Sequence, residues 1–106
     1  MELRHLRYFV AVAESLSFTK AAEKLRLAQP SLTRQVRNLE DEIGVKLPDR
    51  SGNRIALTEE GRQFLFDAKK LLAMFAESVA TVQRMKQGQS ADLISATSQI
   101  LHSNSV

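Results

Sequence analysis

The chain has 106 residues, a formal net charge of +3 from 15 basic and 12 acidic side chains, and no cysteine. This length suits one compact domain, and the lack of cysteine excludes disulfides and thiolate metal sites. The N-terminus lacks the pattern of a secretory signal, and no stretch is long and apolar enough to cross a bilayer. The small excess of positive charge only weakly indicates a polyanionic partner, so the positions of the basic residues decide that question.

Three helices are predicted in the first part of the chain. Apolar residues at helical spacing indicate the first helix over about residues 3–14. Ser17 is the predicted N-cap of a short second helix, because its hydroxyl can accept a hydrogen bond from a free backbone N–H. Pro30 suits the first turn of a third helix, and Gly44 is the predicted left-handed cap at its end. The third helix has one buried stripe, formed by Leu32, Val36, Leu39 and Ile43.

A small hairpin and one long helix are predicted after Gly44. Residues 45–50 and 54–57 are short candidate strands on either side of a Ser-Gly-Asn turn, and strands this short must lean on the helices. Thr58 is the predicted cap of a helix that continues to about Gln87, with two glutamates at its positive end. The predicted fold class is therefore mainly α, with three helices, a two-stranded wing and a long final helix.

The long helix carries an apolar seam that its own domain is too small to cover. Its residues step by three and four, which is typical of helices that pair in a coiled coil. We therefore expect two copies of the chain to form a homodimer through this helix. The predicted dimerisation residues are Leu65, Ala68, Leu72, Phe75, Val79 and Val82.

The third helix and the wing carry the predicted binding chemistry. Burial of Leu32 and Val36 turns Arg34 and Arg37 outward, with small hydroxyl side chains on the flanks. An arginine can pair bidentately with guanine, so Arg34 is the first candidate for reading a base, whereas Arg37 could equally hold a phosphate. The wing places Arg50 and Arg54 at either end of a glycine turn, an arrangement suited to a DNA backbone or a minor groove.

Six motifs run through the predicted helices and the start of the long helix. They are Leu6-Arg7-Tyr8-Phe9, Ala11-Val12-Ala13, Ser17-Phe18-Thr19-Lys20-Ala21-Ala22-Glu23-Lys24-Leu25, Ala28-Gln29-Pro30-Ser31-Leu32-Thr33-Arg34-Gln35-Val36, Leu39-Glu40 and Leu57-Thr58-Glu59-Glu60-Gly61. Together these motifs resemble the DNA-binding domain of LysR-type transcriptional regulators over roughly residues 1–87. The opening ten residues are similar to those of members that control aromatic-compound catabolism.

The resemblance implies a winged helix-turn-helix DNA-binding domain in residues 1–58 and a linker or dimerisation helix in residues 59–87. It implies sequence-specific binding of double-stranded DNA at an interrupted inverted repeat, by a homodimer whose linker helices pair antiparallel. Higher oligomers are an expectation for a full-length form only. Carried over by position, the expected DNA contacts are Gln29, Pro30, Ser31, Thr33, Arg34, Arg50 and Arg54, to which the exposed face adds Arg37.

Two departures from the family pattern stand out. Pro48 occupies a position where family members usually have a bulky apolar residue, so we expect a shorter first wing strand, since proline cannot donate to a ladder. Family members continue into an effector-binding domain, and residues 88–106 do not resemble its start. We therefore expect a tail in residues 88–106, with the effector-binding domain absent and no small-molecule effector for this chain.

Other functions are less well supported by the residues. No polar constellation suggests an enzyme, a cofactor or a metal site, and His5 and His102 are expected to be solvated. The alternative is a helical protein-interaction or antitoxin-like dimerisation module without specific DNA binding, which explains the apolar seam but not the converging arginines. The expected location is the bacterial cytoplasm, on the nucleoid when bound to DNA, with no membrane association.

Overall fold

The computed structural model describes residues 1–52 and 54–88. Within them the chain forms helices α1 (Leu3–Ser15), α2 (Phe18–Leu25) and α3 (Gln29–Ile43), strands β1 (Pro48–Asp49) and β2 (Ala56–Leu57), and helix α4 (Glu59–Gly88). This order confirms the mainly α fold with a two-stranded wing. The chain divides into two units, Met1–Ala73 and Met74–Val106. The predicted tail lies, apart from Gly88, outside the described residues, as does His102.

The ends of the first three helices are defined by local hydrogen bonds. The Ser17 hydroxyl accepts from the Lys20 backbone N–H at 3.0 Å, which confirms the predicted N-cap of α2. Gly44 closes α3 in the left-handed conformation with φ at 80°, also as predicted. Leu16 and Arg26 occupy the same conformation after α1 and α2, although neither is a glycine.

The three helices bury two neighbouring apolar clusters in the first unit. The first contains the buried faces of α1, α2 and α3, and the partly buried Ile55 packs against it. The second contains Phe9, Leu39 and Leu47, with Leu57 packed at its margin. The wing therefore packs on the helices through Ile55 at the first cluster and through Leu47 and Leu57 at the second. On α3, Leu32, Val36 and Leu39 are fully buried as predicted, and Ile43 is partly buried.

The wing strands are shorter than the sequence predicted. They pair antiparallel over two residues each, with Pro48 opposite Leu57. The backbone of Leu47 is bonded outside the ladder, because its N–H donates to Glu40 Oε2 at 2.7 Å and its carbonyl accepts from Thr58 N at 2.9 Å. Pro48 itself has no N–H to donate. These two residues account for the late start of β1.

Thr58 joins the wing to α4. Its hydroxyl donates to the Lys46 carbonyl at 2.7 Å and accepts from the Gly61 backbone N–H at 2.9 Å. The side chain therefore caps the helix, as predicted, and holds the chain that precedes β1. Glu59 and Glu60 lie in the first turn, where the helix dipole favours negative charge.

The first turns of α4 are part of the core of the first unit. The Phe64 ring lies 5.5 Å from that of Phe9, Leu65 packs against the second cluster, and Ala68 is fully buried. Lys69 Nζ forms a 2.8 Å ion pair with Glu14 of α1. Ala68 therefore has no surface to offer a partner chain, although the sequence seam includes it. The sequence pattern alone does not show whether an alanine in a heptad seam packs within its own domain or against a partner chain.

In the second unit, residues 74–88 of α4 carry five exposed apolar side chains. Phe75 is 52% exposed and Val82 is 59% exposed, so neither is covered by other described residues. The other three are Met74, Val79 and Met85. No helix within the described residues is long and apolar enough to span a membrane.

Candidate nucleic-acid interface

The exposed side of α3 forms an open groove of polar and basic side chains. Arg34 and Arg37 are exposed, and the buried residues of the helix lie on its other side. Within residues 1–52 and 54–88, neither guanidinium has an ion pair or a hydrogen bond inside the chain. Both cations are therefore available to an anionic partner. The groove is lined by Gln29, Pro30, Thr33, Arg34, Arg37, Asn38 and Asp41, which brings together five of the predicted contact residues.

The start of α3 is fixed against α2 by a side-chain hydrogen bond. Thr19 Oγ1 donates to Gln29 Oε1 at 3.0 Å. The bond uses the amide oxygen of Gln29 and leaves its amide nitrogen as a donor. Ser31, in the same first turn of α3, is only partly exposed. Sequence reasoning did not assign Thr19 to the site, although a threonine two residues after an N-cap serine places a hydroxyl in the first turn of α2.

The wing residue Arg54 lies beside the N-terminal end of α2. It shares a shallow groove with Thr19, Gln29 and Ile55, and its side chain is exposed. The first unit therefore brings one wing arginine next to the two helix starts, as an interface with a continuous phosphate backbone would require. Of the two predicted wing arginines, only Arg54 has this exposed position.

A second groove lies between α3 and the wing. It contains Arg37, Lys46, Asp49 and Thr58 among others. Lys46 is exposed and adds a cation to the same side of the unit. Lys46 was not among the DNA contacts expected from the sequence. The sequence signal that could have identified Lys46 is its position in the short connection between α3 and the wing.

Asp49 supports the wing turn. Its carboxylate accepts a hydrogen bond from the Ser51 backbone N–H at 2.9 Å. This bond is the main reason that the pKa of the Asp49 carboxyl lies below its ordinary value of 3.8, and a side-chain hydrogen bond from Ser51 is the second reason. The turn thus contains a carboxylate that stays ionised and bonded to its own backbone.

The position of Arg50 differs from the expectation for a DNA contact. Its guanidinium carbon lies 4.7 Å above the centre of the Phe18 ring, and Nη2 lies 3.5 Å from Glu40 Oε1. Only 23% of the Arg50 side chain is exposed. The physical reason is the buried Glu40 carboxylate, which needs a counter-charge in the domain. Glu40 follows Val36 by four residues and so shares the buried side of α3.

His5 also differs from the expectation of a solvated side chain. Its Nδ1 accepts from the Glu2 backbone N–H at 3.0 Å, and its Nε2 lies 2.8 Å from Gln35 Oε1. His5 therefore links the start of α1 to α3. No group of histidine, cysteine, aspartate or glutamate residues within the described ranges could hold a metal ion.

Comparison with known proteins identifies the family. Residues 3–62 match the bacterial regulatory helix-turn-helix proteins of the lysR family. The uncharacterised HTH-type transcriptional regulator YnfL of Escherichia coli (strain K12) is 45% identical over 93 residues, which are 88% of this chain and 31% of that protein. The HTH-type transcriptional regulator BenM of Acinetobacter baylyi is 52% identical over 85 residues, which are 80% of this chain and 28% of that protein.

The fold agrees with a solved structure of the same family. The crystal structure of the BenM DNA-binding domain in complex with catB site 1 DNA matches with a TM-score of 0.80 and 51% identity. The match covers 83% of this chain and 98% of that one. The chain spans only 31% and 28% of the length of the two curated relatives. Since the family match covers more than half of its residues, the chain belongs to the lysR family of bacterial regulatory helix-turn-helix proteins.

Proposed function

We propose that this chain binds double-stranded DNA sequence-specifically as a homodimer and acts in transcription regulation. The observation that carries the proposal is the exposed side of α3, where Arg34 and Arg37 lie free of any partner within the described residues. The likeness to the BenM domain, which was solved with DNA, supports the same conclusion. Residues 1–58 are the proposed DNA-binding domain, and residues 59–87 are the proposed dimerisation helix.

Each part of the interface has a proposed role. Arg34 reads a base edge in the major groove, and Arg37 holds either a base or the adjoining phosphate. Gln29 and Ser31 position the DNA backbone at the mouth of α3. Arg54 contacts the backbone or minor groove from the wing. Pro30 and Thr33 complete the proposed contact surface of α3, and Lys46 is added to it because of its place in the neighbouring groove.

Two copies are proposed to pair through the second half of α4. Phe75, Val79 and Val82 are exposed in the lone chain, which supports their place in a partner interface. Leu65 and Leu72 are half-buried and contribute less, and Ala68 is left out because it is fully covered. A paired molecule would present two copies of α3 to the halves of an interrupted inverted repeat.

The proposal includes no catalytic step. The relatives are named as transcriptional regulators, which supports a role in DNA binding. A protein that acts on chromosomal DNA would work in the bacterial cytoplasm and on the nucleoid, and this is the location we propose.

Selection from random duplexes, followed by affinity measurements over a range of salt concentrations, tests the proposal. We expect an enriched interrupted inverted repeat, and a binding constant that falls steeply as salt rises, because each phosphate contact releases a condensed counterion. The matched control is the same duplex with both half-sites scrambled. Dimerisation without any duplex binding would instead support a protein-interaction module.

A further inference from the structure

We propose that Arg50 is a positioning residue of the wing and that it acts on DNA only through Arg54. It does so by joining the wing to α3 through Glu40 and to α2 through Phe18. This inference rests on the proposed DNA binding. It adds the contacts that fix the position of the wing relative to α3.

The guanidinium of Arg50 is held on two sides within the first unit, although Arg50 also lines the groove that contains Arg37 and Lys46. One face lies over the Phe18 ring at 4.7 Å, and Nη2 lies 3.5 Å from Glu40 Oε1. Nη1 is buried without a hydrogen-bond partner. A group in this position can hold two elements together, and with 23% of its side chain exposed it presents less of its fork of N–H donors outward than an exposed arginine does.

Glu40 holds the wing strand at both ends. Its Oε2 accepts from the Leu47 backbone N–H at 2.7 Å, directly before β1, and its Oε1 faces Arg50, directly after β1. The Glu40 side chain is 2% exposed, so it cannot touch DNA itself. The Glu40 carboxylate thus contacts the residues on either side of β1, Leu47 through a hydrogen bond and Arg50 through a longer ion pair in which Oε1 has no hydrogen-bond partner.

Phe18 attaches the wing to α2 through its contact with Arg50. It is buried in the first apolar cluster, among residues of all three helices, and its ring supports the guanidinium. On the far side of the wing turn, Arg54 shares a groove with Thr19 and Gln29. When Arg50 is held against α2 and α3, the returning strand brings Arg54 next to the two helix starts.

Glu40→Gln distinguishes a positioning role of Arg50 from a direct contact between Arg50 and DNA, because the two roles predict different changes in DNA affinity. If Arg50 positions the wing, the loss of its counter-charge releases the wing and weakens DNA binding. If Arg50 were a DNA contact restrained by Glu40, the same change would free the guanidinium, and affinity would stay level or increase. Glutamine keeps the oxygen that accepts from Leu47, so the change is directed at the charge pair.

A double-mutant cycle in the full chain tests the inference, with the duplex enriched by selection as the probe. We expect Glu40→Gln and Arg54→Ala each to weaken binding roughly tenfold, the size expected for one lost charged contact. The double variant should bind about as weakly as either single variant, because the wing contact can be lost only once. Hydroxyl-radical footprinting should show lost protection at the wing while protection by α3 remains, whereas a general loss of folding would reduce both.

Two further variants complete the experiment. Glu14→Gln also removes a carboxylate from an ion pair, but one that joins α1 to α4, and we expect unchanged affinity. If Glu40→Gln does not fold, Phe18→Leu is used instead, since it removes the ring and leaves the ion pair. Lost protection at the wing in its footprint would support the positioning role, and unchanged protection there would contradict it. Unchanged or tighter binding by Glu40→Gln, or additive effects in the cycle, would overturn the positioning role and leave the proposed function standing. A wild-type chain that bound no duplex would overturn the proposed function itself.

Discussion

Gly61 in the first turn of α4 lies directly against the backbone carbonyl of Leu47. A Cβ atom at this position would overlap the carbonyl oxygen and would lie 3.0 Å from the carbonyl carbon. The Thr58 hydroxyl, 3.2 Å away, closes the remaining side. Because the obstacle is backbone, no side-chain rotation can relieve the overlap. Only glycine allows the helix to start this close to the wing.

Gly61→Ala should lower the free energy of unfolding by about 2 kcal/mol, because the overpacking cost exceeds the gain in helix propensity. Chemical denaturation followed by circular dichroism measures this. Gly52→Ala is the matched control, since a Cβ there meets nothing within 4 Å and the backbone is not left-handed. Equal stability of the two variants would mean that α4 does not approach Leu47 so closely.

The left-handed helix ends give a second stability prediction. Gly44→Ala should lower the free energy of unfolding by about 1 kcal/mol, because φ is +80° while the surrounding space is open. Leu16→Gly should have the opposite sign, with a gain of less than about 1 kcal/mol, since an exposed leucine now occupies that conformation. Thermal unfolding of both variants measures the difference. A loss of stability in both would show that the Leu16 side chain matters more than its backbone.

Arg34 and Arg54, both proposed to contact DNA, should differ in the kind of binding that they support. Arg34→Ala should weaken binding to the enriched duplex by about 1–3 kcal/mol and leave binding to scrambled duplexes nearly unchanged. Arg54→Ala should weaken binding to both duplexes about equally and reduce the salt dependence by roughly one counterion per subunit. Fluorescence anisotropy at several salt concentrations gives both quantities. If neither substitution changed affinity, the interface would lie elsewhere.

Phe75→Glu should convert dimers into monomers, because a charge would then replace an exposed aromatic side chain of the proposed interface. Light scattering across a concentration series measures the mass. Thr81→Glu is the control, since Thr81 is exposed and lies about 240° further round the helix. Dimers that persist in Phe75→Glu and dissociate in Thr81→Glu would place the interface on a different side of α4.

The wing turn should depend on the ionisation of Asp49. Its folded-state pKa is lowered, so the carboxylate stabilises the turn at pH values above the ordinary value of 3.8. That contribution should disappear as the pH falls through the lowered pKa. NMR titration of the Asp49 carboxyl carbon measures the pKa directly. Ser51→Ala should raise it only part of the way, because the backbone N–H of residue 51 remains the stronger donor. A return to the ordinary value in this variant would assign the shift to the hydroxyl.

Local signals in the sequence were sufficient for the helices and for the direction of the exposed side of α3. Ser17 and Gly44 act through hydrogen bonds and dihedral angles within a few residues, so their types alone predicted where helices begin and end. The outward direction of Arg34 followed from the period of the buried residues on α3. These features need no information from distant parts of the chain.

The features that the sequence did not predict depend on contacts between distant segments. A carboxylate is buried only where a cation is supplied to it, and Glu40 receives Arg50 from the wing, ten residues further on. The role of Arg50 changes with that pairing, from an exposed cation to a buried one. The first strand is short for a related reason, since Leu47 is bonded to Glu40 and Thr58. Periodicity within one helix carries no information about either bond.

The His5 side chain has a consequence for the chemical character of α3. Because Nδ1 accepts from Glu2, the ring proton belongs on Nε2, which then donates to the Gln35 carbonyl oxygen. The Gln35 side chain is thereby oriented with its NH₂ group as the end left for another molecule. A ligand that approaches this flank of α3 meets hydrogen-bond donors, and so it must bring acceptors of its own.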